Sequence, residues 1–187
     1  MTEYVWQSCL EVSDIDASGY HENVRSDLID TLDREPQRVL DIGCGAGGTG
    51  AYLKARYPET KVWGIELNKA AANIAAQRLD TVTSAKFEDV DLDAFGITPG
   101  SLDLVICADV LEHMYNPWLV MTRLRPYLAD DARVVISIPN IRFLPLLDDL
   151  ARGYWRYASA GILDITHLRF FTLQEMRRFL TETGYSV

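Results

Sequence analysis

Carboxylates recur along this sequence where short apolar runs end. Asp41 sits in Val39-Leu40-Asp41-Ile42, Glu66 closes Lys61–Glu66, Asp89 follows Ser84–Phe87 and Asp109 closes Ser101–Asp109. An ionised carboxylate offers acceptors only, so such a series suits hydroxyls, amines and cations. Asp41 is the most informative, because Gly43-Cys44-Gly45-Ala46-Gly47-Gly48 follows it. Glycines 43, 45 and 48 satisfy G-x-G-x-x-G, which lets the backbone turn tightly and approach a ligand at the start of a helix. A carboxylate two residues before the first glycine would repel the pyrophosphate of a dinucleotide and welcome a cationic ligand. Glu66 lies 23 residues past Gly43, near the spacing at which an acidic residue accepts hydrogen bonds from ribose hydroxyls. For proton transfer from a hydroxyl, the candidates are His113, His167 and Asp109. Each group also has a plainer reading: a glycine turn that only joins strand to helix, solvated carboxylates, or histidines that hold their own loops.

Such residues need a sheet that brings strand ends to one edge. The apolar runs at Val39–Ile42, Lys61–Glu66, Ser84–Phe87, Ser101–Asp109 and Arg133–Ile138 predict five strands, with the last covered on both faces. Helices are predicted between them. Val24, Leu28 and Leu32 recur every four residues and mark a helix from about Tyr20 to Arg34, stopped by Pro36. A second runs to about Tyr57 before Pro58. Asn68 caps an alanine-rich third to Asp80, and Asn116-Pro117 opens a fourth to about Leu128. Thr172-Leu173-Gln174-Glu175 is a capping box for a last helix that Gly184 closes. Strands alternating with helices predict an α/β fold: a Rossmann-like, doubly wound, mostly parallel sheet with helices on both faces. We expect one domain over 1–187, comprising a helical segment (1–35), a ligand-binding core (36–140), a lid (141–171), and a last helix running into the start of a strand (172–187).

S-adenosylmethionine (SAM) is a ligand of the kind Asp41 would favour, with a sulfonium, an ammonium and no phosphate. The run VLDIGCGAGGTG resembles the first motif of class I SAM-dependent methyltransferases, and DLVICADVLEHMYNP resembles that family's D-x-V-x-x-x-x-V-L-E-H-x-x-x-P stretch. The resemblance covers roughly residues 20–185. It implies that Asp41, Gly43, Cys44 and Gly45 surround the methionine part of SAM, and that Glu66 and the following Leu67 meet the ribose. By the same resemblance, Asp89 meets the adenine amino group and the Val90 N–H a ring nitrogen, while Ala108, Asp109 and His113 approach the reacting methyl. Tyr20 and Arg25 would lie over the pocket, Arg25 pairing with the methionine carboxylate. The later text, SIPNIRFL and GILDITHLRFFT, resembles methyltransferases that accompany glycan and cell-envelope glycosyltransferases and, more distantly, ubiquinone-pathway O-methyltransferases. The implied reaction moves a methyl group to a small-molecule or glycan acceptor at oxygen, giving S-adenosylhomocysteine (SAH). Two other classes stay open: an NAD-dependent oxidoreductase or epimerase on a similar sheet, and a catalytically inactive SAM-binding protein that acts through partners.

Composition narrows the setting. With 187 residues and 48% hydrophobic, the chain can bury a core, and no apolar run approaches the ~20 residues of a membrane span. The start lacks a basic region followed by an apolar stretch, so no secretory signal is read and a cytoplasmic location is expected. Three cysteines without a C-x-x-C pair suit reduced thiols, and no metal ligand set is expected. Against 18 basic residues stand 27 acidic ones, a net charge of -9 that opposes attraction to nucleic acid. Residues 141–171 mix aromatics and arginines without clear periodicity, which suits a mobile cover over an acceptor. In the resembled family two further C-terminal strands complete the sheet. The text ending Gly184-Tyr185-Ser186-Val187 therefore reads as truncated, with Val134–Ile138 left as an apolar edge where a second copy or a further segment would pair.

Overall fold

The computed structural model describes residues 23–187. They fall into two compact units: residues 23–110 with 123–137, and residues 111–122 with 138–187.

The first unit holds the whole sheet. Its strands are β1 (Arg38–Ile42), β2 (Lys61–Glu66), β3 (Thr81–Ser84), β4 (Leu102–Ala108) and β5 (Leu128–Ser137), in the order β3-β2-β1-β4-β5 and parallel throughout. The order reverses between β1 and β4, the position at which sheets of this class form a ligand crevice beyond the carboxyl ends of the strands. The central strands are the most apolar: Val39, Leu40, Val105 and Ile106 are wholly buried, as a strand covered on both faces requires. Asp103 fixes the start of β1 by accepting from the backbone N–H groups of Gln37 (2.7 Å) and Arg38 (3.0 Å).

The remaining elements correct several expectations. Strand β3 lies three residues earlier than predicted, because the β-branched Thr81-Val82-Thr83 pairs with Trp63–Ile65 while Phe87–Asp89 winds into a 3-10 turn. The fifth strand begins at Leu128 rather than Arg133 and is half-buried along Val134–Ser137, since it pairs only with β4 among the described residues. Within the described residues the first helix is the single turn α1 (Ser26–Ile29). Its buried anchor is Ile29; of the residues at four-residue spacing, Val24 is exposed, Leu28 is half-buried and Leu32, beyond the turn, packs half-buried against the same core cluster as Ile29. The Thr31 hydroxyl donates to the Leu28 carbonyl, and the chain leaves the helix before Pro36. Helix α2 (Gly48–Arg56) ends at Tyr57 as expected. Helix α3 (Lys69–Ala75) has the predicted cap, with Asn68 Oδ1 accepting from Ala70 and Ala71 N–H, but it stops five residues short of Asp80. The Asp80 N–H instead donates to Val62, which draws the chain into β3.

The second unit begins with a 3-10 turn, Leu111–His113, followed by the start of α4 (Pro117–Leu124), which Asn116 caps through Leu119 N–H (3.1 Å). The segment 141–171, read as aperiodic, contains a helix, α5 (Leu144–Ala151), opened by Pro145. After it, residues 152–161 are exposed, whereas Leu163, Asp164, His167 and Phe171 are buried. Helix α6 (Leu173–Glu182) starts at the predicted capping box, with Thr172 Oγ1 accepting from Glu175 N–H. It ends in a Schellman motif: Gly184 at φ +89° donates to Thr181, and Tyr185 N–H donates to Leu180. Trp118 stands edge-on to Phe179 with centroids 5.2 Å apart, and Tyr185 OH donates to the Met121 carbonyl, so α6 is anchored on α4. Residues 185–187 form no strand. No helix among the described residues is long and apolar enough to cross a membrane.

Candidate active site

The turn after β1 is built by its glycines. Gly43, Gly45 and Gly47 take φ of +71°, +54° and +79°. Position 47, outside the G-x-G-x-x-G register, therefore has a backbone that favours glycine, which position 48, the first residue of α2, does not. A Cβ on Gly43 would lie 2.6 Å from Val110 Cγ2, so the close approach as well as the φ demands glycine there. The Ile65 carbonyl accepts from both Gly43 (2.8 Å) and Cys44 (3.2 Å) N–H, which fixes the turn against the end of β2.

At that junction two carboxylates are buried together. Glu66 Oε2 accepts from Gly45 N–H (2.8 Å) and Oε1 from Asn68 N–H (2.7 Å). Each of its oxygens keeps a second acceptor position for a ligand hydroxyl. Asp41 is 2% exposed, and its Oδ2 finds no hydrogen-bond partner among the described residues. Burial, reinforced by the neighbouring Glu66 charge, pushes its pKa up to about 7. A buried acceptor left in this state is what a cationic or N–H-bearing ligand would satisfy. Burial also pushes the Cys44 thiol well above its usual range, with the two carboxylates adding to the effect, so Cys44 stays protonated and fills the turn.

Asp41, Gly43, Cys44 and Gly45 line a cleft of about 170 Å³ with Asn23, Arg25, Thr49, Ala108 and Asp109. That volume suits one end of a ligand of SAM's size rather than the whole. Asp109 stands at the tip of β4 with φ +51°, the one non-glycine residue at positive φ among those described. Strained residues of this kind cluster at functional sites. Its carboxylate accepts from Ser137 Oγ (2.7 Å) and pairs with Arg25 Nη1, while Arg25 also pairs with Asp27 at 2.9 Å. The guanidinium expected to meet a ligand carboxylate is thus held by two carboxylates of the chain itself.

The other sequence candidates are placed differently. Asp89 and Leu67 are exposed and do not line this cleft. The Val90 N–H, expected to serve a ring nitrogen, already donates to Phe87 (3.2 Å), because the 3-10 turn consumes it, and the Val90 carbonyl accepts from Arg123 Nη2. Tyr20 lies outside the described residues. His113 and His167 belong to the second unit, where their rings meet edge-on at 4.6 Å. Sequence reasoning missed Thr49, whose Oγ1 accepts from Arg25 N–H, and Ser137. The position of Thr49 directly after the glycine run is the signal that could have found it, whereas nothing local marks Ser137.

The sequence profile of the methyltransferase-domain family matches residues 19–187. Among curated relatives, a malonyl-[acyl-carrier protein] O-methyltransferase of Geobacter sulfurreducens is 26% identical over 151 residues, covering 81% of this chain and 56% of the relative. An (S)-tetrahydroprotoberberine N-methyltransferase of Eschscholzia californica is 29% identical over 105 residues, 56% of this chain and 30% of the relative. The chain thus spans about a third to just over half of the length of these relatives. Among solved structures, a plantazolicin methyltransferase in complex with SAH superposes with a TM-score of 0.64 at 20% identity, over 85% of this chain and 60% of that one. With a parallel sheet that reverses at β1 and β4, an acidic glycine turn at the reversal and a family match over most of its length, the chain belongs to the class I SAM-dependent methyltransferases.

Proposed function

We propose that this chain transfers the methyl group of SAM to a small-molecule or glycan acceptor, at oxygen. The observation that carries the reading is the buried Asp41 carboxylate, whose Oδ2 has no hydrogen-bond partner among the described residues, at the strand-order reversal beside Glu66 and the glycine turn. A phosphate-bearing dinucleotide would face two buried carboxylates there, whereas the ammonium and sulfonium of SAM compensate them.

In this reading Asp41 meets the cationic methionine end, Gly43, Cys44 and Gly45 bring the backbone close to it, and Glu66 accepts from the ribose hydroxyls. Asp89 serves the adenine end, and Arg25 exchanges one of its internal partners for the ligand carboxylate. SAM supplies a methyl on a sulfonium, a good leaving group for in-line displacement, so the protein's task is to align the acceptor and exclude water. Asp109, His113 and His167 are the groups for receiving the acceptor's proton, and residues 141–171 are the segment for covering it. Oxygen as the receiving atom is supported by the O-methyltransferase relative, while the N-methyltransferase relative makes nitrogen the competing outcome. Self-association through the half-buried edge of β5 belongs to the same reading, and a monomer in light scattering removes it.

Calorimetry with SAM, SAH and NAD, followed by an acceptor screen that reads SAH formation, is the test. Saturable SAM binding with turnover supports the proposal. NAD binding in its place overturns it, and SAM binding without turnover on any acceptor leaves a binding protein.

A further inference from the structure

In the second unit, one ligand atom from each of Glu112, His113 and His167 lies within 4.8 Å of the others. They come from two stretches 54 residues apart, and the backbone holds those stretches in fixed register. The Glu112 carbonyl accepts from both Leu168 (2.8 Å) and Arg169 (2.9 Å) N–H, and Arg169 Nη2 donates to the Tyr115 carbonyl. Burial is deep: Glu112 is 1% exposed and His167 8%. Two imidazoles and a carboxylate brought together in such a place form a donor set of the borderline-soft kind.

The hydrogen bonds around the set orient it. Thr166 N–H (2.8 Å) and Thr166 Oγ1 (2.6 Å) both donate to Asp164 Oδ1, so the threonine's proton is committed to that buried carboxylate. Thr166 Oγ1 therefore accepts from His113 Nδ1, at 3.1 Å, which makes Nδ1 the protonated nitrogen of His113. His167 Nδ1 is likewise 3.0 Å from the Ile162 carbonyl, which can only accept. In both rings Nε2 is then the basic nitrogen, fixed by an oxygen acceptor behind the other, the arrangement that outer-shell partners impose on ligating histidines.

We propose that Glu112, His113 and His167 bind a divalent transition-metal ion of the zinc type. A triangle with edges of at most 4.8 Å puts a central ion no more than about 2.8 Å from each corner, so closing to the ~2.1 Å of a Zn–N or Zn–O bond needs shifts of at most about 0.7 Å, within reach of side-chain rotation. Three protein ligands leave the fourth tetrahedral position for water or an acceptor oxygen. With the ion bound, both imidazoles are ligands rather than proton acceptors, and of the three groups named for receiving the acceptor's proton Asp109 alone remains. The inference rests on the second unit alone and not on methyl transfer.

The test uses the full chain freed of metal by a chelator and then dialysed. Titration with Co²⁺ should give visible d–d bands of tetrahedral intensity that saturate at one ion per chain, and Zn²⁺ should displace Co²⁺ and raise the unfolding temperature as its concentration rises. His167→Ala and Glu112→Gln should each weaken Zn²⁺ at least tenfold, and Thr166→Val, which removes the oxygen behind His113 together with its hydrogen bond to Asp164, by about tenfold. No saturable binding to the unaltered chain overturns the proposal whatever the variants do. Binding that survives both His167→Ala and Glu112→Gln unchanged overturns it as well, because the ion would then lie elsewhere.

Discussion

Asp41→Asn should make the ligand-free protein more stable while weakening SAM binding. The native pKa of Asp41 is about 7 against 3.8 for a free aspartate side chain, a difference that corresponds to about 4 kcal/mol as an upper bound. The native state holds this proton more tightly than the unfolded chain does. Stability conferred by the neutral carboxyl is therefore present below about pH 4, is lost as pH rises towards 7, and stays lost above it. Replacing the carboxyl by an amide removes that loss. Urea unfolding of both proteins should show Asp41→Asn gaining on the natural chain by about 2 kcal/mol more at pH 8 than at pH 5.5, where part of the loss has already occurred. Taking the difference between the two proteins cancels the other carboxylates to first order. The same charge should tie SAM affinity to pH, with affinity falling as pH drops below 7 because the ligand must then displace a proton. A stability difference that does not change with pH would refute the reasoning about burial, and a SAM affinity flat from pH 6 to 8 would refute the ionised partner.

Three further outcomes are expected. Glu66→Ala should cost about 1.5–3 kcal/mol in SAM affinity by calorimetry, and should also lower the unfolding temperature because the Gly45 and Asn68 N–H groups lose their acceptor; unchanged affinity would remove the ribose role. Gly64→Ala would set a Cβ 2.7 Å from Cys44 Sγ and 2.9 Å from Leu79 Cδ1, and chemical denaturation should register about 1–3 kcal/mol of overpacking. In hydrogen exchange, residues 152–161 should exchange fast without ligand and slow with SAH and acceptor, whereas equal, strong protection in both states would end the idea of a cover.

What the sequence made legible follows from how local each determinant is. Strand β2 is found from Lys61 to Glu66 as predicted, and the Asn68 and Thr172 caps were readable because a cap and its N–H partners lie within three residues. Buried β1 and β4 were readable because strands covered on both faces are apolar throughout. Helix ends were less so: α3 stops at Ala75 because Asp80 is recruited by Val62, a tertiary contact that alanine propensity cannot report. In the candidate site, Asp41 and Glu66 were visible from spacing. The capture of Arg25 by Asp109, 84 residues away, was not, and neither was the meeting of Glu112 and His113 with His167. Sequence shows which groups are available, whereas long-range pairing decides which of them are already engaged.

The two backbone bonds to Glu66 have a consequence for binding kinetics. A glutamate free at a strand end samples many rotamers, and a ligand that needs one of them must wait for it and meet an ordering cost of about 0.5–1.5 kcal/mol. Here Gly45 and Asn68 hold the side chain before any ligand arrives. A ligand that engages this carboxylate therefore meets a fixed template, and its association rate should be set by diffusion and by the opening of the cleft, with no contribution from the search of the glutamate for its pose.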